Sequence, residues 1–450
     1  MISNMKLHTF KTGGVHPAEN KIAAGKPIET MPLPAEVVLP VSQHIGAPAK
    51  PIVQKGDHVK RGDRVAEAGG FVSAHIHTPI SGTVVKIDTA RTPQGMPVEA
   101  IYIKSDESDR QADAAAMADN TPKRTDTEIA ALGAKEIIDM IKDAGIVGLG
   151  GATFPTHVKL MPPPGSKAEV VIINAAECEP CLSCDDMLMR ENAAEIVKGV
   201  QLLVKAAGVD RGIIAIENNK PEAIAALTAA CATAPGIEVM TMQVKYPQGG
   251  EKQLIEAVIG KEVTSGALPI ATGAIVQNVA TAYAVYRAVY HNEPILDRVL
   301  TLHNGTEGKN LRVSLGTMLS TLVDGDDYEK IIIGGPMMGR TASTLDTPMI
   351  KGTSGILLDK RYAHRRPAEA CIKCGACVNA CPMGLEPFLI STLSRLKQWD
   401  EAEQEKIANC IECGSCSYIC PASRPLLDYI RVGKAKVMAA MRARAAAAKS

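Results

Sequence analysis

Eight of the twelve cysteines lie between Cys371 and Cys420, where one short spacing occurs twice. In each copy two residues separate the first three cysteines, three residues precede the fourth, and a proline follows it. Three closely spaced thiolates on a tight loop can wrap one [4Fe-4S] cluster, while the fourth reaches a neighbouring cluster. The spacing therefore predicts two clusters with crossed ligands: Cys371, Cys374, Cys377 and Cys420 for the first cluster, and Cys410, Cys413, Cys416 and Cys381 for the second.

Zinc is the alternative for these cysteines, because Cys-x2-Cys spacing also suits a tetrahedral zinc site. A pair of zinc sites does not account for the third cysteine at the same step or for the Cys-Pro ending, and both features occur twice. Interleaved ligands hold the two clusters close together. We therefore expect a short electron relay with no catalysis of its own.

Composition limits the partners and the compartment. Lys plus Arg and Asp plus Glu both total 49, so the formal net charge is zero and gives no electrostatic case for nucleic-acid binding. The N-terminus shows no apolar signal segment, and no apolar window reaches the roughly 20 residues that a membrane span needs. Cysteines in metal-type spacings favour a reducing compartment. We expect an unexported chain that attaches to a membrane only peripherally.

The 450 residues are too many for one core, and the residue pattern predicts several domains of α/β and α+β type. Short Val and Ile runs with turn signals are typical of strands, and their alternation with helical runs predicts a parallel sheet. The expected units are a β-rich domain at 1–104, a polar linker at 105–128, an α/β domain at 129–293, a small α+β domain at 294–360, an α-helical Cys-rich domain at 361–435 and a tail at 436–450.

The first unit resembles the lipoyl/biotinyl carrier barrel. The resemblance rests on Gly56-Asp57, Gly62-Asp63 and the stretch TPISGTVVKI. Those carriers present a lysine at an exposed hairpin tip, whereas the matching stretch here, GGFVSAHIHTPI, has none. We therefore expect a barrel-sandwich hybrid that serves for packing or docking.

A second candidate site lies in the α/β domain. Gly148, Gly150 and Gly151 form a loop whose backbone N–H groups can approach a phosphate, although a tight structural turn is the alternative for glycines alone. The strand-like stretch VIINAAECEP runs into an acidic loop, and Gly249-Gly250-Glu251 opens a helix. Polar groups at the carboxyl ends of strands form the usual ligand crevice of open α/β sheets.

These motifs carry a family resemblance. GLGGATFPTHVKL, NAAECEP, YPQGGEKQLIEAVIGK and QNVATAY resemble the flavin- and NADH-binding subunit of respiratory complex I. With GGVHPAEN, SQHIGAP and the double cysteine motif, residues 8 to 435 resemble the C subunit of Rnf ion-translocating ferredoxin:NAD+ oxidoreductases. Separately, the stretch 294–360 resembles a ligand-binding β-grasp module, and the cysteine repeat makes 361–435 ferredoxin-like.

The resemblance also implies a flavin and nucleotide site. It places the FMN phosphate on the glycine loop and NADH beside the flavin. The implied contacts are Gly148, Gly150, Gly151, Asn174, Glu177, Gly249 and Asn278 for FMN, Lys159 near the nucleotide, and Glu177, Glu179 and Glu251 for ribose or nicotinamide. No side chain is implied as a general acid or base. Two positions depart from complex I: Gly250 replaces a glutamate, and Leu149 replaces an arginine of the glycine loop.

Three functions follow as hypotheses. The first is an electron-transfer subunit on the cytoplasmic side of the bacterial inner membrane, which works with integral membrane subunits and a ferredoxin-like subunit that translocate Na+ or H+. The second is a soluble flavo-iron-sulfur reductase similar to cobalamin reductases, and the third is a scaffold that only relays electrons. A third cysteine run, Cys178-x2-Cys181-x2-Cys184, lacks a fourth cysteine, so we expect packing or free thiols there, and Cys231 to be a buried helix residue.

Overall fold

The computed structural model describes residues 7–323, 328–359 and 366–447. Within these ranges the chain forms two antiparallel barrel sheets, a parallel sheet with helices, a larger mixed sheet and a helical Cys-rich segment. The predicted multidomain class of α/β and α+β units is confirmed. In the described ranges we find no helix with both the length and the apolar character needed to cross a membrane.

The barrel is built from short strands whose apolar side chains share one core. Its strands are β2 (Glu36–Pro40), β3 (Lys50–Pro51), β4 (His58–Val59), β5 (Arg64–Glu67), β6 (Ile76–His77), β7 (Gly82–Arg91) and β8 (Pro97–Lys104). They form one sheet in the order β2-β8-β7-β4 and another in the order β3-β5-β6, and all pairs are antiparallel. Val37, Val65 and Ile103 are fully buried between them.

Among the described residues, His8, Val15 and strand β1 pair outside this barrel, although they belong to the expected 1–104 unit. Strand β1 (Ile28–Thr30) pairs with a strand near residue 310 in another sheet. Further upstream, His8 and Val15 form β-bridges to Met242 and Tyr246 of the α/β domain. These pairings join residues far apart in sequence, so local patterns carry no sign of them.

The segment 105–128, expected to be a linker, contains helix α1 (Glu107–Ala118). Asp106 caps this helix by accepting a hydrogen bond from Asp109 N at 2.8 Å. The buried carboxylate of Asp113 accepts hydrogen bonds from Ser81 N and Oγ, both at 2.6 Å, and so ties α1 to the barrel. A polar composition suggested a loop, but an N-cap and alanines suffice for a helix that docks through one polar residue.

The α/β domain is a parallel sheet covered on both faces. Its strands, β9 (Val170–Ala175), β10 (Gly212–Glu217), β11 (Ile237–Met242) and β12 (Ala274–Asn278), lie in the order β11-β10-β9-β12. The helices are α2 (Asp126–Ala131), α3 (Ala134–Asp143), α4 (Thr156–Lys159), α5 (Cys184–Glu191), α6 (Ala193–Ala207), α7 (Pro221–Cys231), α8 (Glu251–Ile259) and α9 (Val279–His291). A Cβ at Gly199 of α6 would meet Ala282 O of α9 at 1.9 Å, so glycine allows these helices to pack closely.

The third unit is a mixed sheet that shares its apolar core with the barrel. Its strands are β13 (Asp297–His303), β14 (Gly308–Ser314), β15 (Lys330–Ile333), β16 (Arg340–Ala342) and β17 (Gly355–Asp359), in the order β1-β14-β13-β17-β15-β16. Leu300 and Ile356 of this sheet lie in the same buried cluster as Val37 of the barrel. The two units therefore form one packed body beside the α/β domain.

The Cys-rich segment is helical, as expected. Its helices are α10 (Ala376–Asn379), α11 (Pro387–Arg395), α12 (Trp399–Gln404), α13 (Ser415–Tyr418) and α14 (Leu426–Ala447). Helix α14 continues through the predicted tail to Ala447, and a Cβ at Gly433 would meet Ser394 Oγ of α11 at 2.1 Å. Residues 1–6, 324–327, 360–365 and 448–450 of the predicted units lie outside the described residues.

Lys351 is completely buried where the barrel, the α/β domain and the mixed sheet meet. Its Nζ donates hydrogen bonds to His75 O and Gly145 O, both at 2.7 Å. Neither acceptor is charged. Burial therefore lowers the pKa of Lys351 to about 7.

This lowered pKa predicts a pH dependence of stability. Above pH 7 and below its ordinary pKa of 10.5, Lys351 binds more protons in the unfolded chain than in the folded chain. The free energy of unfolding should therefore rise with pH in this window, by at most about 1.4 kcal/mol per pH unit from this residue. Denaturation of wild type and Lys351→Met between pH 7 and pH 10 tests this. The variant should show the smaller slope, and equal slopes would contradict the prediction.

Candidate functional site

The two cysteine loops have the same backbone conformation. Lys373 and Glu412 have φ values of 56° and 57°, and Gly375 and Gly414 have φ values of 75° and 80°. Each glycine immediately precedes a short helix, α10 or α13. The sequence repeat is therefore also a structural repeat, with the left-handed glycine at the turn before the third cysteine of each loop.

The second quartet lines one cavity. Cys410, Cys413 and Cys416 come from the second loop, and Cys381 comes from the end of the first repeat. The other lining residues are largely apolar and include Leu385, Ile411, Leu427 and Ile430. These are the four cysteines that the sequence analysis predicts as ligands of the second cluster, with the fourth ligand coming from the other repeat.

The thiols of this quartet suit a cluster because they are buried. Burial raises the pKa of Cys410 to about 11 and of Cys416 to about 12, and it also raises the pKa of Cys413. A bound metal supplies the positive charge that stabilises buried thiolates. Lys434 Nζ lies nearby and donates to Cys410 O at 2.7 Å. The donor set therefore fits an iron-sulfur cluster.

The first quartet lies at the surface. Cys371 and Cys374 are exposed, and Cys377 and Cys420 are partly buried. Burial is the main cause that raises the pKa of Cys377, and the nearby thiol of Cys420 raises it further. Cys420 belongs to the second repeat, so its nearness to Cys377 agrees with crossed ligands.

Tyr246 joins the second cysteine loop to the α/β domain. Its buried hydroxyl donates a hydrogen bond to Cys413 O at 2.7 Å and lies 3.4 Å from Glu179 Oε1. Gln253 Nε2 of α8 adds a hydrogen bond to Pro382 O at 3.3 Å. The second quartet, rather than the first, therefore packs against the α/β domain.

The N-terminal segment supports this contact. Gly14 N donates to Ala380 O at 3.0 Å, and Val15 exchanges backbone hydrogen bonds with Tyr246. A Cβ at Gly13 would meet Cys381 O at 2.5 Å. The stretch GGVHPAEN therefore bridges the cysteine loops and the α/β domain, which the sequence did not reveal.

The glycine loop presents free amides. Gly148 N donates to Phe154 O and Leu149 N donates to Thr281 Oγ1, at 2.8 and 2.9 Å. The next three amides, of Gly150, Gly151 and Ala152, have no acceptor in the described part of the chain, and these residues are exposed. Successive free N–H groups suit a phosphate.

The polar residues at the strand ends meet beside this loop. Asn174 of β9 and Asn278 of β12 are paired in the parallel register. Asn174 Nδ2 donates to Gly249 O at 2.9 Å, and a Cβ at Gly150 would lie 3.2 Å from the Asn278 Cβ. Gly148, Gly150, Gly151, Asn174, Gly249 and Asn278 therefore occupy one edge of the sheet, which is where ligands bind in open α/β sheets.

Lys159 and Glu251 form an ion pair at the same edge. Lys159 Nζ lies 2.7 Å from Glu251 Oε1 and donates to Val276 O of β12 at 3.1 Å. Both side chains are about one third exposed, at 29% and 38%. The pair is therefore accessible to a ligand on the open side of the edge.

Protein groups engage the carboxylates of both Glu177 and Glu179, the residues expected to contact ribose or nicotinamide. Glu177 accepts from the backbone N–H of Asp185 and Asp186, at 2.7 and 3.3 Å. Glu179 accepts from the N–H of Met337 and Met338, at 3.0 and 2.8 Å. Burial raises the pKa of both carboxyl groups. In this structure both carboxylates connect neighbouring segments of the protein by accepting hydrogen bonds from their backbone N–H groups.

Three family models match consecutive parts of the chain. Residues 8–108 match an RnfC barrel sandwich hybrid domain, residues 141–287 match a Nuo51 FMN-binding domain, and residues 364–421 match a 4Fe-4S dicluster domain. The barrel and both cofactor domains expected from the sequence are confirmed. The dicluster match favours iron-sulfur clusters over zinc.

Relatives match along nearly the whole chain. The C subunit of a proton-translocating ferredoxin:NAD(+) oxidoreductase complex of Clostridium ljungdahlii is 45% identical, over 96% of this chain and 95% of the relative. Its Na(+)-translocating counterpart of Acetobacterium woodii is 43% identical, over 98% and 99%. The chain belongs to this RnfC family. The C subunit of an ion-translocating oxidoreductase complex of Rhodobacter capsulatus is 40% identical, over 94% of this chain and 82% of the relative.

In this RnfC-family chain the cysteines of the third run, Cys178, Cys181 and Cys184, do not share one set of contacts. Cys178 Sγ accepts a hydrogen bond from Gly249 N at 3.3 Å, whereas Cys184 Sγ donates to Ser354 O at 3.4 Å. Burial raises the pKa of Cys178, Cys181 and Cys184. Cys178 thus lies beside the edge of the α/β sheet where Asn174, Gly249 and Asn278 meet, and Cys184 packs on the mixed sheet. Cys231, expected to be buried in its helix, is only partly buried.

Sequence reasoning missed several residues of this RnfC-family site. Tyr246, Thr281, Asp185 and Arg298 all contact predicted site residues or their loops. Tyr246 begins the YPQGGE motif, which could have drawn attention to it. Arg298 lies in the mixed sheet, far from any motif in sequence.

Proposed function

We propose that this chain is the NADH-facing, electron-relaying subunit of a membrane-bound ferredoxin:NAD+ oxidoreductase that translocates Na+ or H+. One observation carries the proposal: Tyr246, which follows strand β11 of the α/β sheet, donates a hydrogen bond from its hydroxyl to Cys413 O of the second cysteine quartet at 2.7 Å. The proposed flavin site at the edge of the α/β sheet and the second cysteine loop are therefore packed against each other.

The chain's residues have distinct tasks in this proposal. The free amides of Gly150, Gly151 and Ala152 hold the phosphate of FMN, and Asn174, Gly249 and Asn278 border its ring system. Lys159 and Glu251 border the nucleotide. When bound, FMN exchanges hydride with NAD(H) and single electrons with the clusters. Apolar residues around the second quartet keep water from its ligands.

The position of the two quartets gives the relay a direction in space. The second quartet packs against the α/β domain, whereas Cys371 and Cys374 of the first quartet are exposed. The partner proteins, integral membrane subunits and a ferredoxin-like protein, dock on the side of the first quartet. Thiolate ligands require a reducing compartment, which supports a peripheral position on the cytoplasmic side of the bacterial inner membrane.

Membrane vesicles of both orientations test this proposal. Everted vesicles expose the cytoplasmic side, so ferredoxin-dependent NAD+ reduction should occur in them without detergent, and right-side-out vesicles should lack it. Washing that strips this chain should abolish the activity. Adding back the purified chain or its Cys231→Ser variant should restore it, whereas Cys413→Ser should not. Activity that persists in stripped membranes would refute the proposal.

A further inference from the structure

Arg298 of β13 is a buried cation without a salt-bridge partner in the described ranges. Its side chain is 4% exposed. It donates one N–H to Lys351 O at 2.7 Å and another to Leu149 O, and its Nε has no partner in the described part of the chain. Buried charges in proteins are usually paired. The unpaired charge of Arg298 therefore calls for a functional explanation.

The adjoining strand provides a contrast. Arg312 of β14 is also largely buried, but it forms an ion pair with Asp297 at 3.1 Å. The carboxyl group that acts most on Arg298 is Asp185, which accepts a hydrogen bond from Asn278 Nδ2 at 2.8 Å. Burial raises the pKa of Asp185, and the positive charge of Arg298 acts in the opposite direction. Arg298 lies behind the predicted flavin residues and has Asp185 as a neighbouring carboxyl group, but it forms no ion pair in the described ranges.

The carbonyl of Leu149 belongs to the same peptide group as the N–H of Gly150. In a planar trans peptide these two groups point in opposite directions, and this peptide is trans. Because Arg298 holds the carbonyl on the inner side, the Gly150 N–H faces outward. Thr281 Oγ1 holds the preceding amide, Leu149 N, at 2.9 Å. The two contacts fix the orientation of the loop just where its free amides begin.

We propose that Arg298 is a positioning residue for the flavin phosphate: it orients the Leu149–Gly150 peptide and places a buried positive charge behind the glycine loop. The inference rests on the proposed function, because it takes the phosphate of FMN to lie on this loop. A phosphate monoester carries close to two negative charges, and a charge in the protein interior is screened little by salt. Arg298 therefore acts on the phosphate through the loop, and not on the flavin ring.

A comparison of FMN with riboflavin tests this role. Riboflavin has the same ring and ribityl chain but lacks the phosphate. The flavin is removed from the full chain, and the dissociation constants of both flavins are measured by fluorescence quenching. For Arg298→Met we expect about tenfold weaker FMN binding, equivalent to one hydrogen bond to a charged group, with riboflavin binding unchanged. Arg298→Lys keeps the charge but loses the planar guanidinium group that donates to two carbonyl oxygens. Its loss of FMN affinity should therefore be smaller than that of Arg298→Met.

Two further variants separate positioning from stability. Arg312→Met removes a buried arginine from the adjoining strand, so it should lower the unfolding temperature without changing the ratio of FMN to riboflavin affinity. Thr281→Val removes the acceptor of Leu149 N with little change of shape, and it should lower that ratio. Arg298→Lys and Thr281→Val carry the test if Arg298→Met does not fold.

The outcomes distinguish this inference from the function on which it rests. If wild type prefers FMN to riboflavin but no Arg298 or Thr281 variant changes the preference, the role of Arg298 is refuted and the flavin site stands. If wild type binds both flavins equally or neither, the phosphate does not lie on the loop. That result overturns the proposed flavin site together with this inference.

Discussion

Replacing Cys381 with serine is expected to abolish electron transfer to the partner proteins by removing the second cluster, although Cys381 belongs to the first cysteine repeat. Its thiol lines the same cavity as Cys410, Cys413 and Cys416. A serine hydroxyl is a much poorer iron ligand than a thiolate, so the quartet would be incomplete. The FMN phosphate and ring are expected on the glycine loop and the strand ends, so FMN content should stay at the wild-type level.

Iron analysis and electron paramagnetic resonance of the reduced, anaerobically purified chain check this prediction. The remaining signal of Cys381→Ser should match that of Cys413→Ser, and the signal of Cys420→Ser should match that of Cys374→Ser. Cys231→Ser, a partly buried cysteine at the end of α7, is the control and should keep both clusters. A Cys381→Ser spectrum that matches Cys374→Ser would mean uncrossed ligands.

Replacing Gly151 with aspartate is expected to leave the chain without FMN while both clusters remain. Gly151 lies in the run of free amides, is exposed, and has open space where a Cβ would stand. A carboxylate there places a negative charge where we propose that the phosphate binds. At the effective dielectric near a protein surface, such a pair a few ångströms apart costs about 4 kcal/mol, so we expect FMN binding to weaken by a factor on the order of 1,000.

Two controls isolate the charge from the backbone. Gly151 has a φ of +114°, so any side chain there adds strain. Gly151→Asn adds the same strain without the charge and should keep more FMN than Gly151→Asp. Gly266→Asp adds the charge at another exposed glycine with positive φ and open space, and should keep all of it. The measurement is FMN and iron per purified chain. Equal FMN loss in Gly151→Asn would assign the effect to strain.

The dicluster domain and the grouping of its cysteines were predictable because their signal is local. Spacing within ten or so residues determines how many thiols a loop can aim at one cluster, and the repeat supplies the partner for each fourth cysteine. The parallel sheet was predictable for a similar reason, since buried strands of Val and Ile alternate with helical runs. Asn174 and Asn278 end adjacent strands of that sheet, so their motifs meet at one edge.

The contacts that position the site were not predictable, because they join residues that are far apart in the sequence. The bridge of Gly13 and Gly14, the pairing of β1 with β14 and the contact of Arg298 with Leu149 all join residues more than a hundred positions apart. None of them changes a local pattern of apolar and polar residues. Leu149 illustrates the consequence: its replacement of an arginine seemed to weaken the loop, yet an arginine reaches the loop from another sheet.

Glu177 and Glu179 have protein contacts that their sequence motif does not indicate. Carboxylates beside a nucleotide motif are natural candidates for ribose or amide donors. The sequence does not indicate that the N–H groups of Met337 and Met338 donate hydrogen bonds to the carboxylate of Glu179. Nor does it indicate that an N–H group in the first turn of α5 donates to the carboxylate of Glu177. Their contact with nucleotide stays a prediction, while Glu251 keeps an accessible carboxylate.

An anomalous difference map at the iron absorption edge would test the central claim most directly. Crystals of the anaerobically purified full chain with FMN would locate both clusters and the flavin in one experiment. We expect the flavin phosphate at Gly150 to Ala152, and the cluster nearer to it bound by Cys381, Cys410, Cys413 and Cys416. A map in which Cys371, Cys374 and Cys377 hold the nearer cluster, or in which the flavin lies away from this loop, would contradict the account.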